Sequence, residues 1–337
     1  MDRTFYEVEK LIGKQSRINF ASTHGEKHTE YQKTYFCTNE FIDHYLKIYD
    51  ISDKSNALSV TASGDQIFNL ISNGIYNIDT FDSNKLCEYL VFGLKRAMIL
   101  KYSYREYLDF NNILYNGKIK YKSDESRTII SDLLPYMDEK YRMFWKKVID
   151  IDYNIQKYND SNISIFNLLY FSFKPACFLV EANTYLLSEI EYNRLKNNLG
   201  KANITYTHGN AYELDSIFRN KEYDLILLSN IFDYFYKFYK CGWEYEKLKA
   251  YILKIEKLAK NDGIIFINYL FNLECYLEKE IENIDYTHLK LGENYGNFRV
   301  INNSCIKFQN LTDEEVYLFR TLEKNINDGI ILKRVQK

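Results

Sequence analysis

The period of the apolar positions changes several times along the chain. From Asn39 to Tyr49, Phe41, Ile42, Tyr45, Leu46 and Ile48 recur at near-helical spacing, with Thr38 or Asn39 placed to cap a helix. Residues 1–55 therefore read as a mainly helical segment. After the polar break at 53–56 comes the apolar run Ala57 to Ala62, then Ser63-Gly64-Asp65, then Ile67, Phe68, Leu70 and Ile71 at helical spacing. That is a strand, a tight turn and a helix in succession. A second strand is predicted from Asn77 to Phe81, closing on Asp82, and Lys85 to Leu100 again has a helical period. Such a β-α-β-α unit implies a parallel sheet with right-handed crossovers.

Residues 101–175 break this rhythm. They are polar and aromatic, with helical stretches at 129–137 and 142–149, and read as an inserted helical subdomain. The alternation resumes with a helix from Tyr185 to Leu199 and strands at 203–207 and 223–228. A helix from Tyr245 to Ala259 and strands at 263–269, 298–301 and 329–333 complete the pattern. The fold class is thus α/β: a Rossmann-like, doubly wound, mostly parallel sheet of about six or seven strands, with an N-terminal helical segment and a helical insertion. The sheet domain is assigned to residues 56–100 and 176–337.

Composition narrows the function classes. Hydrophobic residues make up 46% and charged residues 27% of the 337, an ordinary globular balance, and the net charge of -2 gives no basic field for nucleic acid. No run reaches the roughly 20 apolar residues of a membrane span, nor does the N-terminus hold a signal-peptide core. A soluble, cytoplasmic protein is expected, with peripheral membrane contact left open. The six cysteines are scattered without metal-ligand spacing, so neither a metal site nor a disulfide framework is signalled.

The candidate chemistry lies just past the strands. In doubly wound sheets, ligands bind beyond the carboxyl ends of the strands, where strand order reverses. Gly64 would let backbone approach a ligand, and Ser63 and Asp65 offer polar groups to an amino-acid moiety. A lone glycine in place of the full G-x-G-x-x-G argues against a dinucleotide. Asp82, ending the second strand, is placed to accept hydrogen bonds from ribose hydroxyls. His208-Gly209-Asn210-Ala211 comes after the strand at 203–207, where Asn210 could meet an adenine amino group. Ser229-Asn230 and Asp233 leave the strand at 223–228, with Asp233 the leading general-base candidate and His208 and Glu106 the others. Ordered on successive strand ends, these elements match a class I S-adenosylmethionine-dependent fold.

The stretch Leu58 to Asp65 resembles the DUF3419 family, as do Phe81-Asp82-Ser83-Asn84, Leu94-Lys95 and Tyr104-Arg105-Glu106-Tyr107-Leu108. Leu133-Leu134-Pro135, Phe144-Trp145 and Leu228-Ser229-Asn230-Ile231 extend the resemblance over about residues 35–270. The family includes S-adenosylmethionine:diacylglycerol 3-amino-3-carboxypropyltransferases. The resemblance implies transfer of that group from the cofactor to a small-molecule or lipid acceptor, with release of methylthioadenosine. The cofactor-binding set is Ser63, Gly64, Asp65, Asp82, Asn84, Asn210, Ala211, Ser229 and Asn230. Methyl transfer, a cofactor-binding module without turnover, and an interaction protein docking through the insert are the alternatives.

Overall fold

The computed structural model describes residues 34–38, 40, 42–47, 51–115, 122–158, 164–171, 180, 182–231, 251, 253–270, 298–301, 314–321 and 328–334. Most of the expected N-terminal helical segment, and residues 245–250 of the expected later helix, lie outside these. The strands are, in chain order, β1 (Thr34–Tyr35), β2 (Asn56–Val60), β3 (Asn77–Asp82), β4 (Tyr170–Phe171), β5 (Asn203–His208), β6 (Tyr223–Leu227), β7 (Ala259–Leu270), β8 (Phe298–Ile301), β9 (Glu314–Thr321) and β10 (Asp328–Arg334). The chain divides into two compact units. One comprises residues 1–39, 61–72 and 82–200, the other residues 40–60, 73–81 and 201–337.

The second unit carries an eight-stranded sheet of order β5-β3-β2-β6-β7-β10-β9-β8. Pairings β2–β3, β2–β6 and β6–β7 are parallel, with Val60 opposite Phe81 and Ser59 opposite Leu227. Strand order reverses between β2 and β6, the switch point of a doubly wound sheet. The central strands are apolar on both faces, as a covered parallel sheet requires: Ala57, Leu58, Leu225, Ile226, Leu227, Ile264, Ile265 and Phe266 are all buried. The sheet is mostly parallel, as expected, and its far edge is the antiparallel part: β10 runs antiparallel to β7 and to β9, and β9 antiparallel to β8. The additional strand β9 was not legible in sequence. Its residues EEVYLFRT place apolar side chains at both odd and even positions, which gives neither clean alternation nor a helical stripe.

Within the 39–49 stretch the described helix is Ile42–Leu46. Ahead of it the Thr38 backbone N–H donates to the Asp65 carboxylate. The expected helix at 85–100 is present but not regular: Leu86–Glu88 and Arg96–Lys101 are α-helical and Tyr89–Lys95 between them is a π-helix. The first carbonyl of the π-helix, on Tyr89, accepts the Trp145 indole N–H at 3.1 Å, and a Cβ on Gly93 would stand 2.7 Å from that indole nitrogen.

The first unit is helical. Besides Asp65–Ser72 and the composite helix at 86–101 it holds Tyr104–Tyr115, Ser123–Leu133, Glu139–Tyr158, Ile165–Leu169 and Glu189–Asn198. Its interior is aromatic. Tyr107, Tyr185, Tyr192, Phe68, Phe144, Phe166 and Trp145 are fully buried, and Tyr107 packs against both Tyr185 and Tyr192. A buried tyrosine needs a partner for its hydroxyl. Tyr192 donates to the carbonyls of Ile99 and Tyr102, and Tyr185 to Asp65. Among the described residues no helix is long and apolar enough to cross a membrane.

Candidate functional site

Strand β2 leaves the sheet through Thr61-Ala62-Ser63-Gly64 and enters the Asp65–Ser72 helix without an intervening loop. The four residues form a turn closed by the Gly64 N–H donating to the Thr61 carbonyl at 2.7 Å. Two of its positions lie in the left-handed region, Ala62 at φ 41° and Gly64 at φ 82°. For alanine this costs about 1–2 kcal/mol, so surrounding contacts must hold it. One such contact is Asp82, whose Oδ2 accepts the Ala62 N–H at 2.9 Å while its Oδ1 accepts the Asn84 N–H at 2.8 Å. The carboxylate is half-buried and oriented by two backbone amides. Burial, then the Asp82 charge, pushes the neighbouring Cys87 thiol well up.

The turn's other side chains face inward. Gly64 is buried, and a Cβ there would stand 2.4 Å from Val91 Cγ1 and 3.2 Å from Phe68 Cε2. The missing side chain thus makes room for the protein's own Val91. Asp65 is fully buried, and its carboxylate is taken up by donors of the same unit. Oδ1 accepts Lys95 Nζ at 2.7 Å and the Tyr185 hydroxyl, and Oδ2 accepts the Thr38 N–H and Ser63 Oγ. Four donors fill the roughly four acceptor positions of a carboxylate, leaving none for an amino-acid moiety. Asn84, also buried, accepts the Leu86 N–H at 3.1 Å at the start of the next helix.

Glu106 closes a capping box on the Tyr104–Tyr115 helix, accepting the Ser103 N–H at 2.8 Å and Ser103 Oγ at 2.7 Å. These bonds, the backbone one first, hold its carboxyl below the usual range. A lowered pKa on an exposed cap is the reverse of what a general base needs.

The remaining candidates lie in the second unit. His208 ends β5 and is exposed. Asn210 accepts the Tyr212 N–H at 3.1 Å as the cap of a short 3-10 turn, and the carbonyl of buried Ala211 accepts the Tyr251 hydroxyl at 3.0 Å. Beyond β6, Ser229 also adopts a positive φ, 55°. Its hydroxyl donates to Glu40, whose other oxygen accepts the Tyr45 hydroxyl at 3.2 Å, and also lies 3.3 Å from Asn230 Oδ1. Strand β6 therefore exits through a non-glycine residue in the left-handed region, a strain that collects at functional sites. Asp233 lies outside the described residues.

Sequence reasoning singled out neither Glu40, 2% exposed, nor the role of Lys95, 1% exposed. A buried charge gives no periodic signal, since its partners come from distant parts of the chain. Among the described residues no cluster of His, Cys, Asp and Glu could hold a metal ion.

No protein-family model matches the chain, that of DUF3419 included, and no curated protein matches it. Among the solved structures that it resembles are methyltransferases. They include the rRNA methyltransferase aviRa of Streptomyces viridochromogenes, at 6% identity over 83% of this chain and 77% of that one, TM-score 0.33. A S-adenosylmethionine-dependent methyltransferase of Clostridium acetobutylicum is 10% identical over 100% and 82% of the two chains, TM-score 0.29. The O-methyltransferase of Bacillus cereus, in complex with SAH, is 10% identical over 100% and 92%, TM-score 0.29. At such scores these likenesses carry no argument about activity. The Rossmann-like α/β fold is read from the strand order itself.

Proposed function

We infer that the chain is an S-adenosylmethionine-dependent transferase that moves the 3-amino-3-carboxypropyl group to a small-molecule or lipid acceptor. The observation that carries the reading is Asp82. A half-buried carboxylate, oriented by the Ala62 and Asn84 amides, ends the strand next to β2 in a doubly wound sheet, where ribose hydroxyls find their acceptor. The choice of group transferred rests on the resemblance of the 58–65 and 81–84 segments to the DUF3419 family.

When bound, the cofactor supplies a sulfonium whose attached carbons are activated toward in-line attack. Asp82 would hold the ribose hydroxyls, and the turn at 61–64 keeps that carboxylate oriented through the Ala62 N–H.

Purified protein titrated with S-adenosylmethionine in a calorimeter tests the site. Incubation with cell extract as acceptor, followed by mass spectrometry, separates the two transfers: methylthioadenosine marks aminocarboxypropyl transfer and S-adenosylhomocysteine marks methyl transfer. Absence of binding heat counts against both. A cofactor-binding module without turnover is the second reading, favoured by the engagement of Glu106 in a helix cap.

A further inference from the structure

Lys95 touches none of the groups assigned to the nucleoside, yet it is among the most deeply buried charged residues, 1% exposed beside a fully buried Asp65. An ammonium has three N–H donors, and all three are used inside the protein. They go to the Phe36 carbonyl at 2.8 Å, the Ser63 carbonyl at 2.9 Å and Asp65 Oδ1 at 2.7 Å. The rings of Phe36 and Phe68 flank the nitrogen at 5.3 and 5.7 Å. The network therefore joins the segment after β1, the turn after β2, the π-helix and Tyr185.

Stability alone does not account for such a pair. A buried ion pair is often matched or bettered by apolar residues of like volume, whereas it does fix one arrangement of the chain. In this chain the arrangement fixed is the turn. Ser63 lies between the two left-handed residues Ala62 and Gly64, and its carbonyl is anchored by the lysine. The π-helix points the same way. Lys95 is its last residue, the wider π turn changes the direction in which the later side chains face, and such segments recur at functional sites.

We propose that Lys95 is a positioning residue for the nucleoside site. By holding the Ser63 carbonyl and the Asp65 carboxylate, it locks the turn in the conformation that delivers the Ala62 N–H to Asp82, and so sets the carboxylate that receives the ribose. The proposal rests on the nucleoside reading of Asp82.

The test is calorimetric titration of S-adenosylmethionine, and separately methylthioadenosine, into wild type, Lys95→Met and Asp65→Asn/Lys95→Met, with thermal unfolding of each. Lys95→Met alone melts at a lower temperature, because Asp65 is left as an unpaired buried charge. The double variant regains most of that loss but binds both compounds at least about tenfold more weakly, the equivalent of one lost charge-assisted hydrogen bond. A double variant that melts and binds like wild type overturns the proposal. Where the double variant does not fold, Tyr185→Phe decides. It deletes one donor to Asp65, and binding weakens by about threefold if the network sets the turn, a fraction of one hydrogen bond. Unchanged affinity in Tyr185→Phe is the overturning result. Wild type that binds neither compound sinks the nucleoside reading itself, an outcome visible before any variant is made.

Discussion

The backbone N–H of Ala62 donates to Oδ2 of Asp82 at 2.9 Å, joining the turn after β2 to the last residue of β3. Ala62 itself lies in the left-handed region, at φ 41°. If the carboxylate receives the ribose, Asp82→Ala weakens S-adenosylmethionine binding by about 1–3 kcal/mol, the cost of leaving buried hydroxyls unpaired. Calorimetry measures this, and an unchanged Kd removes Asp82 from the site.

Gly64→Ala combines two penalties. The left-handed φ costs about 1–2 kcal/mol for a residue with a Cβ, and that Cβ would stand 2.4 Å from Val91 Cγ1. Denaturant unfolding of Gly64→Ala should show a stability loss larger than the φ penalty alone. Val91→Ala added to it should restore the steric part and leave the backbone part. If the second substitution restores nothing, Val91 does not occupy the space at Gly64.

Asp79 supplies a pH dependence. Burial alone would raise its carboxyl, but hydrogen bonds from Lys221, Thr205 and Tyr223, with the Lys221 charge, hold it below the usual value. A folded pKa below the unfolded one contributes stability that is present above the unfolded value and is lost as pH falls through the folded value. Melting temperature should therefore fall as pH drops below the ordinary carboxylate range, and the fall should be shallower in Asp79→Asn. Parallel acid profiles in the two proteins would contradict this.

The Trp145 indole donates to the Tyr89 carbonyl at the start of the π-helix. Trp145→Phe removes that donor and should cost at least about 1 kcal/mol, with more from the lost ring volume. Hydrogen exchange over residues 89–95 should accelerate more than over the Glu189–Asn198 helix; equal acceleration would mean that the indole does not support the π turn.

Much of the architecture was legible because it is written in local periods. The apolar strand at 57–60, the turn at Gly64 and the helical spacing of Ile67, Phe68, Leu70 and Ile71 arise from backbone sterics and burial of one face, which neighbouring residues encode. Asp82 at a strand end was legible for the same reason. The irregular Tyr89–Lys95 segment was not, since an extra residue in a helical turn leaves the apolar pattern nearly unchanged while the Trp145 indole, some fifty residues on, supplies the bond that sustains it.

The sequence by itself determined that β2 would run into a tight glycine turn and that β3 would end on an acid. It could not decide what those groups touch. Gly64 reads as room for a ligand and proves to be room for Val91; Asp65 reads as an offered carboxylate and proves to be filled by Lys95, Tyr185, Ser63 and Thr38. Hydrogen-bond saturation and steric occupancy depend on residues up to 120 positions apart in the chain, and only folding brings such residues within reach of one another.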